Sequence, residues 1–338
     1  MTTVKENISL QSFNTFGVEV QAQCFAAVRS EEELRTLLSR HTAAVRILGG
    51  GSNILFTKDL KVLVIKNEIY GKELISEAER HALVRVGGGE NWHEFVRWCL
   101  DNDLGGVENL SLIPGTTGAA PIQNIGAYGV ELQDVFDHLE AVDLETGALK
   151  TFNRDDCGFG YRDSVFKNTL KGRYFISQVF LRLTRSPHHE LNTTYGAIRQ
   201  TLQDMDIAEP GIRDISAAVV RIRRSKLPDP EETGNAGSFF KNPLIPVEQL
   251  ETLRKKFPDI PNYPVGEQLV KVPAGWLIER LGWKGRRVGN VGCYHKQALV
   301  LVNYGGATGE EIYTLARRIA DSVESTFGIR LETEVNVW

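Results

Sequence analysis

The chain has 338 residues, of which 42% are hydrophobic and 24% are charged. This composition is that of an ordinary folded globular protein, and it excludes a disordered or collagen-like chain. Thirty-nine basic and 43 acidic residues leave a net charge of −4 at pH 7, which excludes an overall positive field that would attract nucleic acid or an anionic membrane.

Helical and strand patterns alternate over the first 100 residues, which is typical of a mixed helix and sheet fold. Ser30 and Glu33 have the spacing of a capping box, so we predict that a helix begins there. A strand followed by a glycine-rich turn occurs twice, and a helix from Asn91 to Leu100 follows the second turn. The predicted strands of this region are Val45–Leu48, Ile54–Phe56, Val62–Ile65 and His81–Val86.

The rest of the chain carries strands first and then both helices and strands. Glu145–Gly147 is a turn signal between two apolar runs, which predicts a hairpin. A helical pattern over 212–224 is stopped by Pro228, and a proline-rich stretch follows, so we expect a domain boundary near 223–232. Further strands are predicted at Tyr174–Leu183 and Gln297–Val302, and further helices near 246–257 and 310–327.

The segment Ile329–Trp338 alternates between apolar and polar residues, which is typical of a half-buried strand. The face that is predicted to be buried carries Ile329, Leu331, Thr333, Val335 and Val337. The alternation places Glu332 and Glu334 together on the polar face, and strand parity cannot separate these two carboxylates.

Thirteen of the 32 glycines lie within residues 49–129, about a quarter of the chain. Glycine allows the main chain to approach a phosphate closely and to direct several N–H groups at it. Gly49–Asn53 follows a strand but lacks the third glycine of a Rossmann fingerprint and the Lys of a P-loop. Alone, this segment fits a tight turn and a phosphate site equally well.

A second loop, Ser111–Glu131, favours a cofactor site. It combines glycines and small residues with side chains that can form hydrogen bonds. Such a loop suits a flat, polar, phosphate-bearing cofactor such as a dinucleotide. The candidate hydrogen-bonding residues are Thr116, Thr117, Gln123 and Asn124.

Five ordered motifs together resemble the UDP-N-acetylenolpyruvoylglucosamine reductase (UDP-N-acetylmuramate dehydrogenase) family, in its longer first subtype. Each motif is short, but the set extends over nearly the whole chain, which makes a chance match implausible. The motifs are Gly49–Leu55, Pro114–Gly129, Gly160–Lys167, Gly237–Pro243 and Leu331–Val335.

The resemblance implies an α+β fold with a two-part FAD-binding module of the vanillyl-alcohol-oxidase type and a C-terminal α+β substrate-binding domain. Its expected parts are 1–68 with 328–338 returning to it, 69–222, and 223–327. It further implies that NADPH reduces a non-covalently bound FAD, which then reduces UDP-N-acetylglucosamine enolpyruvate to UDP-N-acetylmuramate in peptidoglycan precursor synthesis.

The family's catalytic residues correspond to Arg162, Ser238 and Glu334. A guanidinium can hold the substrate carboxylate, the serine can protonate carbon, and the glutamate can hold the enol proton or orient the carboxylate. Without the resemblance, a surface ion pair for Arg162 and a turn-capping role for Ser238 are the commoner roles of such residues. The choice of Glu334 over Glu332 comes from the motif alone.

The remaining candidates bind cofactor or substrate. The substrate-binding candidates are Tyr195, Lys226, Asn242, Tyr263, Lys284 and Gln297. The FAD-binding candidates are Gly49, Gly50, Gly51, Ser52, Asn53, Ile54, Pro114, Gly115, Thr116, Thr117, Gly118, Ala119, Gln123, Asn124, Ile125, Gly126, Tyr128 and Gly129.

Several expectations concern partners and location. The four cysteines are far apart, and no apolar run is long enough to span a membrane, so we expect a reduced, cytoplasmic protein without a membrane segment. We expect a monomer that binds neither nucleic acid nor a metal ion. Two rival functions remain, an FAD-dependent oxidase of the same cofactor fold that acts on an alcohol or sugar, and a binding module without turnover.

Overall fold

The computed structural model describes residues 2–41 and 43–338. Its α-helices are α1 (Glu31–Arg40), α2 (Trp92–Asp101), α3 (Arg154–Cys157), α4 (Gly196–Gln203), α5 (Ile212–Lys226), α6 (Val247–Arg254), α7 (Ala274–Arg280) and α8 (Gly309–Phe327). Its strands are β1 (Lys5–Ser9), β2 (Gln21–Val28), β3 (Val45–Leu48), β4 (Ile54–Leu55), β5 (Leu60–Asn67), β6 (Lys72–Glu77), β7 (His81–Gly87), β8 (Leu104–Gly105), β9 (Gly126–Ala127), β10 (Val130–Glu131), β11 (Phe136–Asp143), β12 (Leu149–Asn153), β13 (Tyr174–Arg185), β14 (Gly234–Ser238), β15 (Leu244–Pro246), β16 (Tyr263–Val265), β17 (Leu269–Lys271), β18 (Arg287–Val288), β19 (Val291–Cys293), β20 (Val300–Asn303) and β21 (Asn336–Val337).

The chain divides into two compact units, each built from separate segments of the sequence. The first unit contains 1–8, 22–51 and 60–225. The second contains 9–21, 52–59 and 226–338.

A four-stranded sheet with the order β1-β2-β5-β3 lies in the first unit, and β5 pairs in parallel with both β2 and β3. Leu34 and Leu37 of α1 pack against Val28, Leu63 and Ile65 of this sheet. The helix begins as predicted, because the Ser30 hydroxyl accepts a hydrogen bond from the Glu33 amide. This sheet places the glycine-rich turn 49–51 directly after β3.

The first unit also contains a larger antiparallel sheet. Its order is β12-β11-β13-β7-β6, and β8 pairs with β13. Phe95 and Cys99 on one face of α2 pack against Val84 and Val86 of β7 in a single apolar core. The predicted hairpin is formed by β11 and β12, and the predicted strands at 81–86 and 174–183 are confirmed as β7 and β13.

The remaining helices of the first unit are α4 and α5. Ile198 and Leu202 of α4 pack against Ile215, Val219 and Ile222 of α5. The α5 helix extends two residues beyond the predicted end at residue 224 and ends at Lys226, shortly before Pro228.

The second unit contains an antiparallel sheet with the order β14-β20-β19-β18 and a small sheet with the order β15-β17-β16. The predicted C-terminal helix is confirmed as α8, where Thr308 and Glu311 form a capping box. Gly309 lies so close to Phe56 that an added Cβ would be 1.6 Å from the Phe56 carbonyl oxygen. The segment 52–59 is therefore packed tightly against the start of α8.

The predicted continuous strand over 329–338 is wrong in detail. Thr333 makes an isolated antiparallel bridge with Phe240, whereas Asn336 and Val337 pair in parallel with β4. Because the segment changes its partner between these two points, the alternation is interrupted, and Thr333 and Val337 are exposed rather than buried. Within 2–41 and 43–338, no helix is both long enough and apolar enough to cross a membrane.

Candidate active site

The two glycine-rich loops meet in the first unit. A Cβ added to Gly49 would lie 2.6 Å from the Thr116 Oγ1 atom, and one added to Gly50 would lie 2.9 Å from the Gly115 Cα atom. Gly118 lies as close to Gly88 of the second glycine turn, and its amide donates a hydrogen bond to the Gly88 carbonyl. Main chain therefore packs directly on main chain here, which only residues without a side chain permit.

The Thr116 side chain supports a bound group at this place. Its Oγ1 atom is fully buried and has no hydrogen-bond partner in the described part of the chain. A buried hydroxyl without a partner is costly, so such an atom points to a ligand that supplies one. On β5, the Lys66 Nζ atom lies 3.4 Å from the Gly49 carbonyl oxygen, and burial lowers the pKa of this lysine. The main chain, the hydroxyl and the ammonium group suit a phosphate-bearing cofactor such as FAD.

Two other polar side chains of the second loop are already committed to the protein. The Thr117 hydroxyl donates to the Gly87 carbonyl. The Asn124 side chain is fully buried, donates to Glu131 and Gly160, and accepts from the Gln133 amide. The Thr117 hydroxyl therefore has no proton left to donate to a cofactor, and the Asn124 side chain is engaged by the protein.

Arg162 is held in an uncommon conformation. Its φ of 54° lies in the left-handed region, which is rare for a residue with a side chain and is often found at functional sites. The guanidinium donates a hydrogen bond to the Gly126 carbonyl of the second loop, and the Arg162 carbonyl accepts one from Lys167 Nζ at 3.4 Å. The motif around residue 162 thus positions its arginine against the loop that carries the cofactor candidates.

A second arginine lies at the same loop. Arg223 of α5 forms a side-chain hydrogen bond with Tyr128. Burial lowers the pKa of Arg223, and the nearby charge of Arg162 lowers it further. The Tyr128 ring also contacts Tyr195 edge to face, with 5.2 Å between the ring centroids. Tyr195 itself is largely exposed at the start of α4.

Sequence reasoning missed Arg223 and Lys66 as site residues. Arg223 follows Ile215 and Val219 at helical spacing on α5, so its place on the inward-facing side could be read from the sequence. No comparable sequence signal identifies Lys66, because its place beside Gly49 depends on the parallel pairing of β3 with β5.

In the second unit, Ser238 ends β14. It pairs with Val300 of β20, and the preceding Gly237 has a φ of 69°, a conformation that favours glycine. Phe239 and Phe240 follow and are buried, with their rings in edge-to-face contact. These aromatic rings fix the main chain that carries the Ser238 hydroxyl.

The segment that carries Glu334 pairs with the main chain just after Ser238. The Glu334 amide donates to the Phe239 carbonyl at 2.8 Å, and the Lys241 amide donates to the Glu332 carbonyl at 2.9 Å. The Glu332 side chain is 75% exposed and lies 3.5 Å from Lys241 Nζ, whereas Glu334 is half-buried. The two glutamates that the strand pattern could not separate therefore have different surroundings.

Asn53, in the second unit, contacts the segment of Glu334. The Asn53 side chain donates to the Glu334 carbonyl at 3.3 Å, and the Asn53 carbonyl accepts from the Asn336 amide at 3.1 Å. Ile54 is buried and belongs to β4, which pairs with β21. Ser52–Ile54 and Glu334 are thereby held together within the second unit.

The substrate candidates of the second unit lie in different surroundings. The Asn242 Oδ1 atom accepts from the Ala274 amide at 2.9 Å, and Gly275 is close to Gln297, so both candidates contact the first turn of α7. Lys284 forms an ion pair with Glu279 at 2.8 Å. Lys226 and Tyr263 are exposed, the former at the end of α5 and the latter in β16.

Comparisons with known proteins match both parts of the chain. The family model for the UDP-N-acetylenolpyruvoylglucosamine reductase C-terminal domain matches residues 229–338, and that for an FAD binding domain matches residues 22–153. The chain is 50% identical to the UDP-N-acetylenolpyruvoylglucosamine reductase of Flavobacterium johnsoniae over 335 residues, with 99% of each chain covered. It is 49% identical to that of Pseudomonas aeruginosa over 338 residues, again with 99% of each chain covered.

Solved structures resemble the whole chain as well. The crystal structure of UDP-N-acetylenolpyruvylglucosamine reductase from Thermus caldophilus has a TM-score of 0.70 and 25% identity, with 100% of both chains covered. A solvent-stable cholesterol oxidase has a TM-score of 0.50 and 12% identity, with 98% of this chain and 87% of that chain covered. At this low identity, the second likeness concerns the fold alone.

Proposed function

The chain belongs to the UDP-N-acetylenolpyruvoylglucosamine reductase family, and we propose that Arg162, Ser238 and Glu334 perform the substrate half of the family's reaction. The protein is a flavin-dependent oxidoreductase of peptidoglycan synthesis. The predicted fold class, an FAD-binding module with a C-terminal α+β domain, is confirmed, and so are the expected FAD and NADPH. The rival functions as an alcohol or sugar oxidase and as a module without turnover are not favoured by this family membership.

FAD, once reduced by NADPH, supplies the hydride that converts the enolpyruvyl ether of the substrate to a lactyl ether. We assign its binding to the two glycine-rich loops. In support, Gly49 and Gly50 lie against Thr116 and Gly115, and the buried Thr116 hydroxyl has no partner in the part of the chain that is described. Lys66, next to Gly49, supplies a positive charge for the diphosphate.

Arg162 is the proposed carboxylate-binding residue. Negative charge develops beside the substrate carboxylate during reduction, and a guanidinium can stabilise it with two parallel hydrogen bonds. The strained main chain and the hydrogen bond to Gly126 support this role, because they fix the guanidinium before substrate arrives.

Ser238 is the proposed proton donor, and Glu334 is its proposed acidic partner. A hydroxyl is a weak acid, so proton donation requires surroundings that stabilise the oxyanion it leaves. The observation that carries the proposal is the main-chain hydrogen bond from Glu334 to Phe239, next to Ser238. It brings both residues to one place in the second unit, whereas Glu332 extends to the exposed side.

The proposed substrate contacts complete this assignment. We assign the UDP moiety to the side chains of Lys226, Asn242, Lys284 and Gln297. Of these four residues, Asn242 and Gln297 contact the start of α7. Tyr195 and Tyr263 are exposed aromatic residues that can cover a bound nucleotide.

We further propose a cytoplasmic monomer that binds no nucleic acid, in keeping with the net charge of −4. Size-exclusion chromatography with light scattering tests the oligomeric state.

Replacing Ser238 with alanine separates the two half-reactions. NADPH should bleach the flavin of the Ser238→Ala holoenzyme at the wild-type rate under anaerobic conditions in a stopped-flow instrument. Reoxidation by UDP-N-acetylglucosamine enolpyruvate should slow by about 100-fold or more, because the carbon loses its proton donor. The exposed Ser325 provides the control variant Ser325→Ala. Reoxidation of Ser238→Ala at the wild-type rate contradicts the assignment of Ser238.

A further inference from the structure

One nitrogen atom of a guanidinium on α5 is buried without a hydrogen-bond partner among the described residues. Arg223 is half-buried, and its Nε atom is fully enclosed without a hydrogen-bond partner among the described residues. Ile215, Val219 and Ile222 of the same helix are buried apolar residues. A charged donor in such surroundings is costly unless it is paired.

The groups that act on Arg223 do not neutralise it. Among the described residues, Tyr128 forms a hydrogen bond with the guanidinium, whereas Arg162 and, when protonated, His93 repel it. None of these three groups is a carboxylate. A guanidinium can only donate, so the Tyr128 oxygen accepts this bond, and the Tyr128 hydroxyl proton remains available for another acceptor.

Arg223 and Arg162 reach the same short segment from different elements. Arg162 donates to the Gly126 carbonyl, and Arg223 binds the Tyr128 side chain two residues later. The charges of Arg162 and Arg223 oppose each other, and an anion that accepts hydrogen bonds from both would offset this repulsion. The unpaired Nε of Arg223 supplies a donor for that anion.

We propose that Arg223, together with the hydroxyl of Tyr128, is the second half of a carboxylate site whose first half is Arg162, and that this site binds the carboxylate of the enolpyruvyl substrate. The inference rests on the proposed role of Arg162. Two cations and a hydroxyl would stabilise the carboxylate and the charge that develops beside it more strongly than one cation alone. Arg223 then distinguishes the enolpyruvyl substrate from the parent UDP-N-acetylglucosamine, which has no carboxylate.

The test measures binding of two ligands to the oxidised, FAD-loaded, full-length enzyme, by titration of the flavin absorbance. In Arg223→Gln, the affinity for UDP-N-acetylglucosamine enolpyruvate should fall about 10- to 100-fold, since charge-assisted hydrogen bonds are lost. The affinity for UDP-N-acetylglucosamine should stay within about 2-fold of the wild type, because the site makes no contact with this ligand. Arg223→Lys keeps the charge without the planar fork and should give an intermediate loss for the enolpyruvyl ligand.

Arg221 provides the matched control, because it is an exposed arginine on the same helix. Arg221→Gln should bind both ligands with wild-type affinity. An equal loss for both ligands in Arg223→Gln, or no loss for either, overturns the proposal. Loss of FAD from both Arg223→Gln and Arg223→Lys also overturns it, because Arg223 would then serve the cofactor or the fold.

The same experiment keeps this inference apart from the proposed function. If wild-type holoenzyme does not reduce UDP-N-acetylglucosamine enolpyruvate, the proposed function fails. If the wild type reduces it and Arg223→Gln binds it normally, only the role of Arg223 fails.

Discussion

A single hydroxyl provides a sensitive probe of the cofactor site. The Thr116 Oγ1 atom is buried without a partner in the described chain, and its loop lies against Gly49. If FAD supplies the missing partner, Thr116→Val should weaken FAD binding about 3- to 10-fold, the equivalent of about 1 kcal/mol for one neutral hydrogen bond. Quenching of FAD fluorescence during reconstitution of the apoenzyme measures this affinity.

The control for this prediction is another threonine of the same unit. Thr169 is exposed, and Thr169→Val should bind FAD as the wild type does. Equal affinity in Thr116→Val and the wild type would show that the cofactor does not contact the buried hydroxyl.

At the scale of single residues, the sequence predicted which motifs to examine but not what each side chain contacts. Four polar residues of the second loop were equal candidates, yet they differ in the structure. Among the described residues the Thr116 hydroxyl has no partner, whereas the Thr117 hydroxyl and the Asn124 carboxamide form hydrogen bonds within the protein. Likewise, Glu332 and Glu334 differ in exposure because the segment bends between its two partners. Such differences depend on contacts between residues far apart in sequence, which no local pattern contains.

Among the elements, the hairpin of β11 and β12 contains an ionic hydrogen-bond network. The buried carboxylate of Asp143 accepts hydrogen bonds from the amides of Glu145 and Thr146 at 2.9 and 3.1 Å and from Arg173 Nε at 2.9 Å. Burial alone would raise the pKa of Asp143, but these donors hold the pKa below its usual value. The charged carboxylate therefore stabilises the turn.

Replacing Asp143 with asparagine should destabilise the protein by about 1–3 kcal/mol at pH 7, because the turn amides and Arg173 lose a charged acceptor. A carboxylate with a lowered pKa stabilises the folded state above its unfolded pKa of about 4, and this contribution is lost as the pH falls through the folded value. The difference between the wild type and Asp143→Asn in urea unfolding should thus be full at pH 7 and shrink below about pH 4. The exposed Glu145 provides the control, since Glu145→Gln should show neither effect. A difference that stays constant down to pH 3 contradicts this account.

Elements with a strong local signal were predicted well, and those that depend on a partner were not. The helix at Ser30 and the hairpin carry a cap and a turn in the sequence itself, and both are present. The predicted final strand has no such signal at its centre, and its pairing changes from Phe240 to β4. The helices α4 and α7 were not predicted, because each is short and follows no side-chain cap.

At the scale of the whole molecule, the second unit gathers three distant segments. The Asn235 amide donates to the Thr15 carbonyl, and Gly309 packs on Phe56, so residues 9–21 and 52–59 are tied to the C-terminal part. The proline-rich stretch after residue 226 marks a change in composition, but no local pattern announces the return of the two N-terminal segments. This assignment requires the three-dimensional contacts.

FAD should stabilise the folded molecule increasingly as the free FAD concentration rises, by a logarithmic dependence. On the proposal that the two glycine-rich loops bind FAD, the site is assembled only in the folded state, so FAD binding shifts the unfolding equilibrium by mass action. At a free FAD concentration 100 times its Kd, the added stability is about 2.7 kcal/mol, and the Tm should rise by several degrees above that of the apoenzyme. Thermal unfolding followed by circular dichroism over a series of FAD concentrations measures the shift.

Riboflavin at the same concentrations should produce a smaller shift, because it has no diphosphate for the glycine loops around Gly49 and Gly115 to bind. An equal shift with riboflavin would mean that these loops do not bind the diphosphate, and no shift with FAD would mean that the apoenzyme lacks an assembled site.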